Sequence, residues 1–140
     1  MTFQKYVSDS LYLFNQSEDH RLYTLVDFTH FALFPILHNR VRFYYSDDKP
    51  IGMATWAWFS DKEAEDFLSE RWIPQEDTYK REIGDQLWAI EFIFPFSPQH
   101  TLIRHVMRDA TRAATNHLNK KHKVNWRRLK RPDQRHIRRI

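Results

Sequence analysis

The chain has 140 residues, with 22 Lys/Arg, 18 Asp/Glu, 8 His, no Cys and only 2 Gly. That length most simply makes one domain, 1–140, with enough chain to bury a core. The absence of cysteine excludes thiol nucleophiles, disulfides and zinc–thiolate sites, and Gly52 and Gly84 alone leave no glycine-rich phosphate cradle. The net charge of +4 hides a split: residues 120–140 carry 10 Lys/Arg against the single acid Asp133, and residues 1–119 are net −5. A basic C-terminal segment of this kind seeks an acidic partner, or is simply a solvated terminus. No apolar run is long enough to span a bilayer and no basic-plus-apolar leader is visible, so a soluble, unexported protein with no membrane span is expected.

The first 38 residues predict helix. Tyr6, Leu11, Leu13 and Phe14 supply the apolar positions of one segment. Ser17 reads as the N-cap of a second, with Glu18 and Asp19 in its first turn. That helix carries Leu22, Leu25, Val26, Phe28, Leu33 and Phe34 and is limited by Pro35. Residues 41–45 predict a strand, 46–50 a longer hairpin loop, and 51–59 a second strand rich in aromatics. A short helix follows over 61–70 with Ala64, Phe67 and Leu68 on its apolar side, then a polar connection over 71–86. The run 87–94 predicts the third strand. Ser97-Pro98 opens the clearest helix, with Leu102, Ile103, Val106, Met107, Ala110, Ala113, Ala114 and Leu118 at helical spacing. A short strand is expected around 124–126. Together these predict an α+β fold with a mainly antiparallel central sheet flanked by helices.

Glu91 stands in the middle of the most apolar stretch of the chain, Leu87-Trp88-Ala89-Ile90-Glu91-Phe92-Ile93-Phe94. Burying an ionised carboxylate costs several kcal/mol unless it is paired or neutralised, so Glu91 needs a partner or a task. Strict alternation puts Glu91 on one face with Leu87, Ala89 and Ile93, and puts Trp88, Ile90, Phe92 and Phe94 on the other. A salt bridge or an exposed edge position is the structural alternative. Of the histidines, none forms an H-E-x-x-H pattern, so no metal site is expected. His20, placed by Ser17 in a first helical turn, is the candidate general base: the helix dipole there favours the neutral imidazole, against the pull of Glu18 and Asp19.

Three blocks carry a family resemblance. They are Ser17-x-x-His20, Pro50-Ile51-x-x-x-Thr55-Trp56-Ala57, and Gly84-Asp85-x-x-Trp88-x-Ile90-Glu91-Phe92-Ile93-x-Pro95-Phe96. Over roughly residues 10–130 the chain resembles the RTX toxin-activating lysine acyltransferases, the haemolysin-activator family, and the third block is the most specific. The resemblance implies a fold similar to the GNAT acetyltransferases and a cytoplasmic enzyme, with a homodimer as its assembly. It implies transfer of a fatty acyl group from acyl carrier protein to lysine side chains of an RTX protoxin, without coenzyme A or any bound cofactor. It makes His20 the catalytic histidine, as base or acyl acceptor, and Glu91 the catalytic carboxylate, where the family usually has Asp. Ser97 likewise stands where Gly is usual.

On that mechanism Thr55 is an oxyanion or positioning candidate. Trp56, Trp58 and Phe92 are candidates for an acyl groove, with ordinary core packing as their alternative. Lys120, Lys121, Lys123, Arg127, Arg128, Lys130 and Arg131 are candidates for docking the acidic carrier protein. Two rival readings are a nucleic-acid-binding module using the basic segment with Trp126 and His122 for stacking, and a catalytically inactive toxin-binding relative. The first leaves Glu91 unexplained, so nucleic acid is not the expected partner.

Overall fold

The computed structural model describes residues 2–96, 100–118 and 122–127. Helix α1 (Phe3–Gln16) starts where the Thr2 hydroxyl accepts the Lys5 N–H, and it buries Leu13 and Phe14. Ser17 ends this helix, with its own N–H bonded to the Phe14 carbonyl and its backbone extended. The predicted N-cap at Ser17 is therefore corrected to a C-cap. The next helix, α2 (Leu25–Phe28), begins under a reciprocal capping box between Thr24 and Asp27. The physical reason is that Asp27 returns a carboxylate to the cap N–H, which a histidine three residues after Ser17 does not do.

A π turn (Thr29–Leu33) follows α2, and α3 (Phe34–Leu37) continues from it. Strands β1 (Val41–Ser46) and β2 (Lys49–Phe59) form a hairpin whose turn is only Asp47-Asp48, not the longer loop expected. Asp47 takes the left-handed conformation, φ 53°, that such tight turns demand. Lys49 and Pro50 thus belong to β2. Pro50 is tolerated because β3 pairs only with Met53 onward, so that end of β2 is an edge.

Helix α4 (Asp61–Leu68) is capped by Ser60 and Glu63, and buries Ala64 and Phe67 while Leu68 faces solvent. The 71–86 connection is not merely polar, because it contains α5 (Glu76–Lys80) and plants Tyr79 fully inside the core. Strand β3 (Gln86–Ile93) pairs antiparallel with β2. Helix α6 (His100–Thr115) then crosses over to β4 (Val124–Trp126), which runs parallel to β3. The expected start of α6 at Ser97-Pro98 lies outside the described residues. Strand order is β1-β2-β3-β4, an open and mostly antiparallel α+β sheet flanked by helices; a GNAT-like arrangement is compatible with it. Among the described residues no helix is long and apolar enough to cross a membrane.

The π turn and Tyr79 explain each other. In a regular helix the His30 carbonyl would accept the Phe34 N–H, but that N–H goes to Thr29 instead. The next donor in line is Pro35, which has no N–H. The Tyr79 hydroxyl fills the gap, donating to the His30 carbonyl at 2.6 Å. Burial, followed by the charge of Glu91, pushes the Tyr79 phenol well above its usual pKa and keeps it a donor. Tyr79→Phe should then cost about 1–3 kcal/mol, the penalty of a stranded buried carbonyl. Urea unfolding measures it, and an unchanged midpoint would refute this account.

Candidate functional site

Strand β3 does not alternate as expected. Thr55 pairs with Glu91 but Trp56 pairs with Ala89, so Ile90 is an extra residue and β3 carries a bulge. Across the bulge the side-chain phase shifts by one. Trp88 and Ile90 pack with Phe31, Ala57 and Phe59, and Ile93 packs with Leu13, Phe14 and Met53. Glu91 points to that same helical side, where Tyr23 touches both clusters. Leu87 faces the other way, with Trp56, Trp58 and Ala114. Glu91 therefore shares its face with Trp88 and Ile90, and the expected partition is corrected. The Thr55 hydroxyl accepts the Glu91 N–H at 3.0 Å and pins the bulge.

Into this position the turn after α1 delivers His20. The turn closes by bonds from the His20 and Arg21 N–H groups to the Ser17 carbonyl, and from the Tyr23 N–H to the His20 carbonyl. It is not the first turn of a helix, so the expected placement of His20 at a helix N-terminus is corrected. The imidazole is held edge-on by Phe14, with ring centres 5.3 Å apart. His20 Nε2 lies 2.6 Å from Glu91 Oε2, and His20 Nδ1 lies 2.6 Å from Ser17 Oγ. The Tyr23 hydroxyl donates to the remaining carboxylate oxygen, Oε1, at 2.6 Å. With Glu91 ionised, Nε2 must carry the ring hydrogen, which leaves the Nδ1 lone pair to accept from the Ser17 hydroxyl.

Hydroxyl, imidazole and carboxylate thus stand in series. His20 is 4% exposed and Glu91 3%, while Ser17 is only half-buried. Ser17 is the member that faces outward. Sequence reasoning quoted Ser17 but gave it a structural role, and it did not single out Tyr23. Their only signal was the spacing of three on either side of His20. The other described histidines mostly serve the fold: His30 bonds the Pro74 carbonyl, His38 bonds Glu76, and His117 bonds the Glu82 carbonyl.

On the opposite face of the sheet an apolar cavity of about 50 Å³ lies under α6. Trp56 and Phe92 are on its wall with Ala89, Ala110 and Ala114, and Thr55 and Glu91 also border it. Trp58 is not on the wall but is packed in the core beside it. Pairing of β3 with β4 stops at Ala89 and Trp126, so past that point the β3 edge is open among the described residues. Asp109 fastens α6 to β1 by accepting from the Tyr44 hydroxyl and the Arg42 guanidinium, each at 2.8 Å. Those two donors hold the Asp109 carboxyl below its usual range.

Of the candidate docking residues, Lys123 is exposed. Arg127 turns inward, with its guanidinium 3.9 Å from the Phe67 ring and bonded to the Phe67 carbonyl. Lys120, Lys121, Arg128, Lys130 and Arg131 lie outside the described residues.

A buried carboxylate, a paired imidazole and an outward hydroxyl are the parts of an acid–base or nucleophilic group-transfer catalyst. The chain belongs to the RTX toxin acyltransferase family: the model of that family, HlyC, matches residues 2–140. Its class of activity is therefore acyl transfer in the activation of RTX toxins. No curated protein sequence matches the chain as a relative.

Proposed function

We propose that the protein moves a fatty acyl group from acyl carrier protein to lysine side chains of an RTX protoxin, with His20 as general base. The observation that carries this reading is the Ser17–His20–Glu91 chain, closed by bonds of 2.6 Å on both sides of the imidazole. Lysine has a reference pKa of ~10.4, so its neutral amine is scarce near neutral pH and a positioned base helps its attack. The amine nitrogen attacks the thioester carbonyl carbon; the C–N bond forms and the C–S bond breaks. One amine proton passes through Ser17 Oγ to His20 Nδ1, and the leaving thiolate takes a proton back from the imidazolium. Glu91 fixes the ring and stabilises its charged form, and Tyr23 and Thr55 fix Glu91.

Relay through Ser17 is favoured because both ring nitrogens are engaged and the ring is buried. An acyl group on His20 would have to displace Ser17 or Glu91. The cavity beside Trp56 and Phe92 receives the apolar part of the donor. A cytoplasmic setting and a homodimer belong to the same reading through the family.

The test is intact-mass analysis of an RTX protoxin incubated with fatty-acyl carrier protein and either wild type or His20→Ala. An acyl mass increment on lysine with wild type alone supports the proposal. Equal modification by both refutes His20 as base. No modification by either turns the reading toward an inactive toxin-binding relative.

A further inference from the structure

We infer that the outer face of α6 holds a phosphodiester-binding site for the phosphopantetheine arm of the acyl donor. This rests on the carrier-protein reading above and adds where the arm is gripped. A groove of about 450 Å³ is lined by Met107, Arg108, Thr111, Arg112, Thr115 and His122. Arg108, Thr111, Arg112 and Thr115 fall at helical spacing of three and four, so they share one side of α6.

The lining contains two guanidinium groups, two hydroxyls and an imidazole, and no carboxylate. Neither Arg108 nor Arg112 has an ion pair among the described residues. Asp109, the acid on the same helix, is bonded to Tyr44 and Arg42, and the charge of Arg112 acts on it from a distance. In the sequence, residues 120–140 carry 10 Lys/Arg and the single acid Asp133.

A second observation points to a ligand. His122 stands edge-on to the Trp58 ring, with centres 5.2 Å apart, and its Nε2 is buried without a hydrogen-bond partner among the described residues. A buried polar nitrogen left unmatched is costly, and a phosphate oxygen is a suitable partner for a donor at that position. The two guanidinium forks complete a phosphate-binding set; the Thr111 and Thr115 hydroxyls donate to the Met107 and Thr111 carbonyls and only line the groove.

The groove shares Met107 and Thr111 with the apolar cavity under α6. One extended ligand therefore fits both, with its anionic end among the arginines and its apolar end between α6 and the sheet. An acyl-phosphopantetheine has that order of parts. This arrangement also removes the need for a glycine-rich loop, which the chain lacks.

Two measurements on the full chain decide the matter. Calorimetric titration compares 4′-phosphopantetheine with pantetheine, using wild type and the Arg108→Ala/Arg112→Ala double variant, whose replaced side chains are exposed. Phosphopantetheine should bind wild type at least 10-fold more tightly than pantetheine does, and more weakly as salt rises. The double variant should lose that preference. In turnover with acyl carrier protein, it should show a KM raised about 10-fold with kcat little changed.

Equal binding of the two probes, or an unaltered KM in the double variant, overturns the site while leaving the acyltransferase reading in place. Tighter binding of a generic single-stranded oligonucleotide than of phosphopantetheine also overturns it. Phosphate-dependent binding without turnover of the acyl carrier protein upholds the phosphate site and sinks the carrier reading instead.

Discussion

Glu91→Gln is expected to slow acyl transfer by about 10³–10⁴-fold in a protein that still folds, by analogy with amide replacement in a catalytic triad. In the wild type, Glu91 accepts at both oxygens, from Tyr23 and from His20 Nε2. Gln has one acceptor and one donor. Its carbonyl satisfies Tyr23, and its amino group then faces Nε2 and forces the ring hydrogen to Nδ1. That nitrogen can no longer take a proton from Ser17. Volume is unchanged and no charge remains buried, so unfolding midpoints should stay close to wild type. Removing His20 is a less clean experiment. It strands Glu91 in an apolar setting, at a cost of about 3–5 kcal/mol if the charge persists. Single-turnover rates beside a urea titration check the prediction, and a Glu91→Gln enzyme of near-normal rate would remove Glu91 from the chemistry.

The second large effect concerns Ser17. If the amine's proton reaches His20 through the Ser17 hydroxyl, Ser17→Ala should cost about 10²–10⁴-fold in rate, the usual range for positioned proton transfer. Its stability cost is one hydrogen bond, about 1 kcal/mol. The effects of Ser17→Ala and His20→Ala should not multiply, because removal of one member disables the same relay. A double variant as slow as His20→Ala alone fits the relay. A Ser17→Ala enzyme near wild-type rate would mean that substrate meets Nδ1 directly.

Much of the architecture was legible because its signals are local. Alternating and apolar runs marked all three long strands, and the spacing from Ile103 to Leu118 marked α6. The end of α1 was misread because Ser17 followed by two acids has the composition of a helix start, while the stronger box at Thr24 and Asp27 sits a turn further on. Helix α5 was missed because a five-residue helix has too few turns to show a period. The bulge was hidden for a different reason: it is a relation between Thr55 and Glu91, 36 positions apart, and no local pattern reports it.

At the candidate site, the family resemblance named both His20 and Glu91, which the structure brings together. Burial logic alone also singled out Glu91 as a carboxylate in need of a partner. Tyr23 was not identifiable, because an aromatic three residues after a histidine is unremarkable until the turn closes and brings its hydroxyl to the carboxylate. The residues expected for an acyl groove separated on packing: Trp56 and Phe92 reach the cavity, whereas Trp58, two residues from Trp56 on the same face, is enclosed by Leu87 and Ala114.

The single unpaired residue in β3 works like a frameshift. Residues on its N-terminal side obey one parity and those on its C-terminal side obey the other, so the core-building and chemistry-bearing halves of the strand are written in separate frames. Deleting Ile90 would merge the frames into one alternating register, in which Glu91 still lies opposite Thr55 and Trp88 opposite Ala57, at the cost of the Ile90 side chain in the core cluster. Point changes within either half leave the other's parity intact, so side chains beside the carboxylate can diversify without disturbing which way the tryptophan faces.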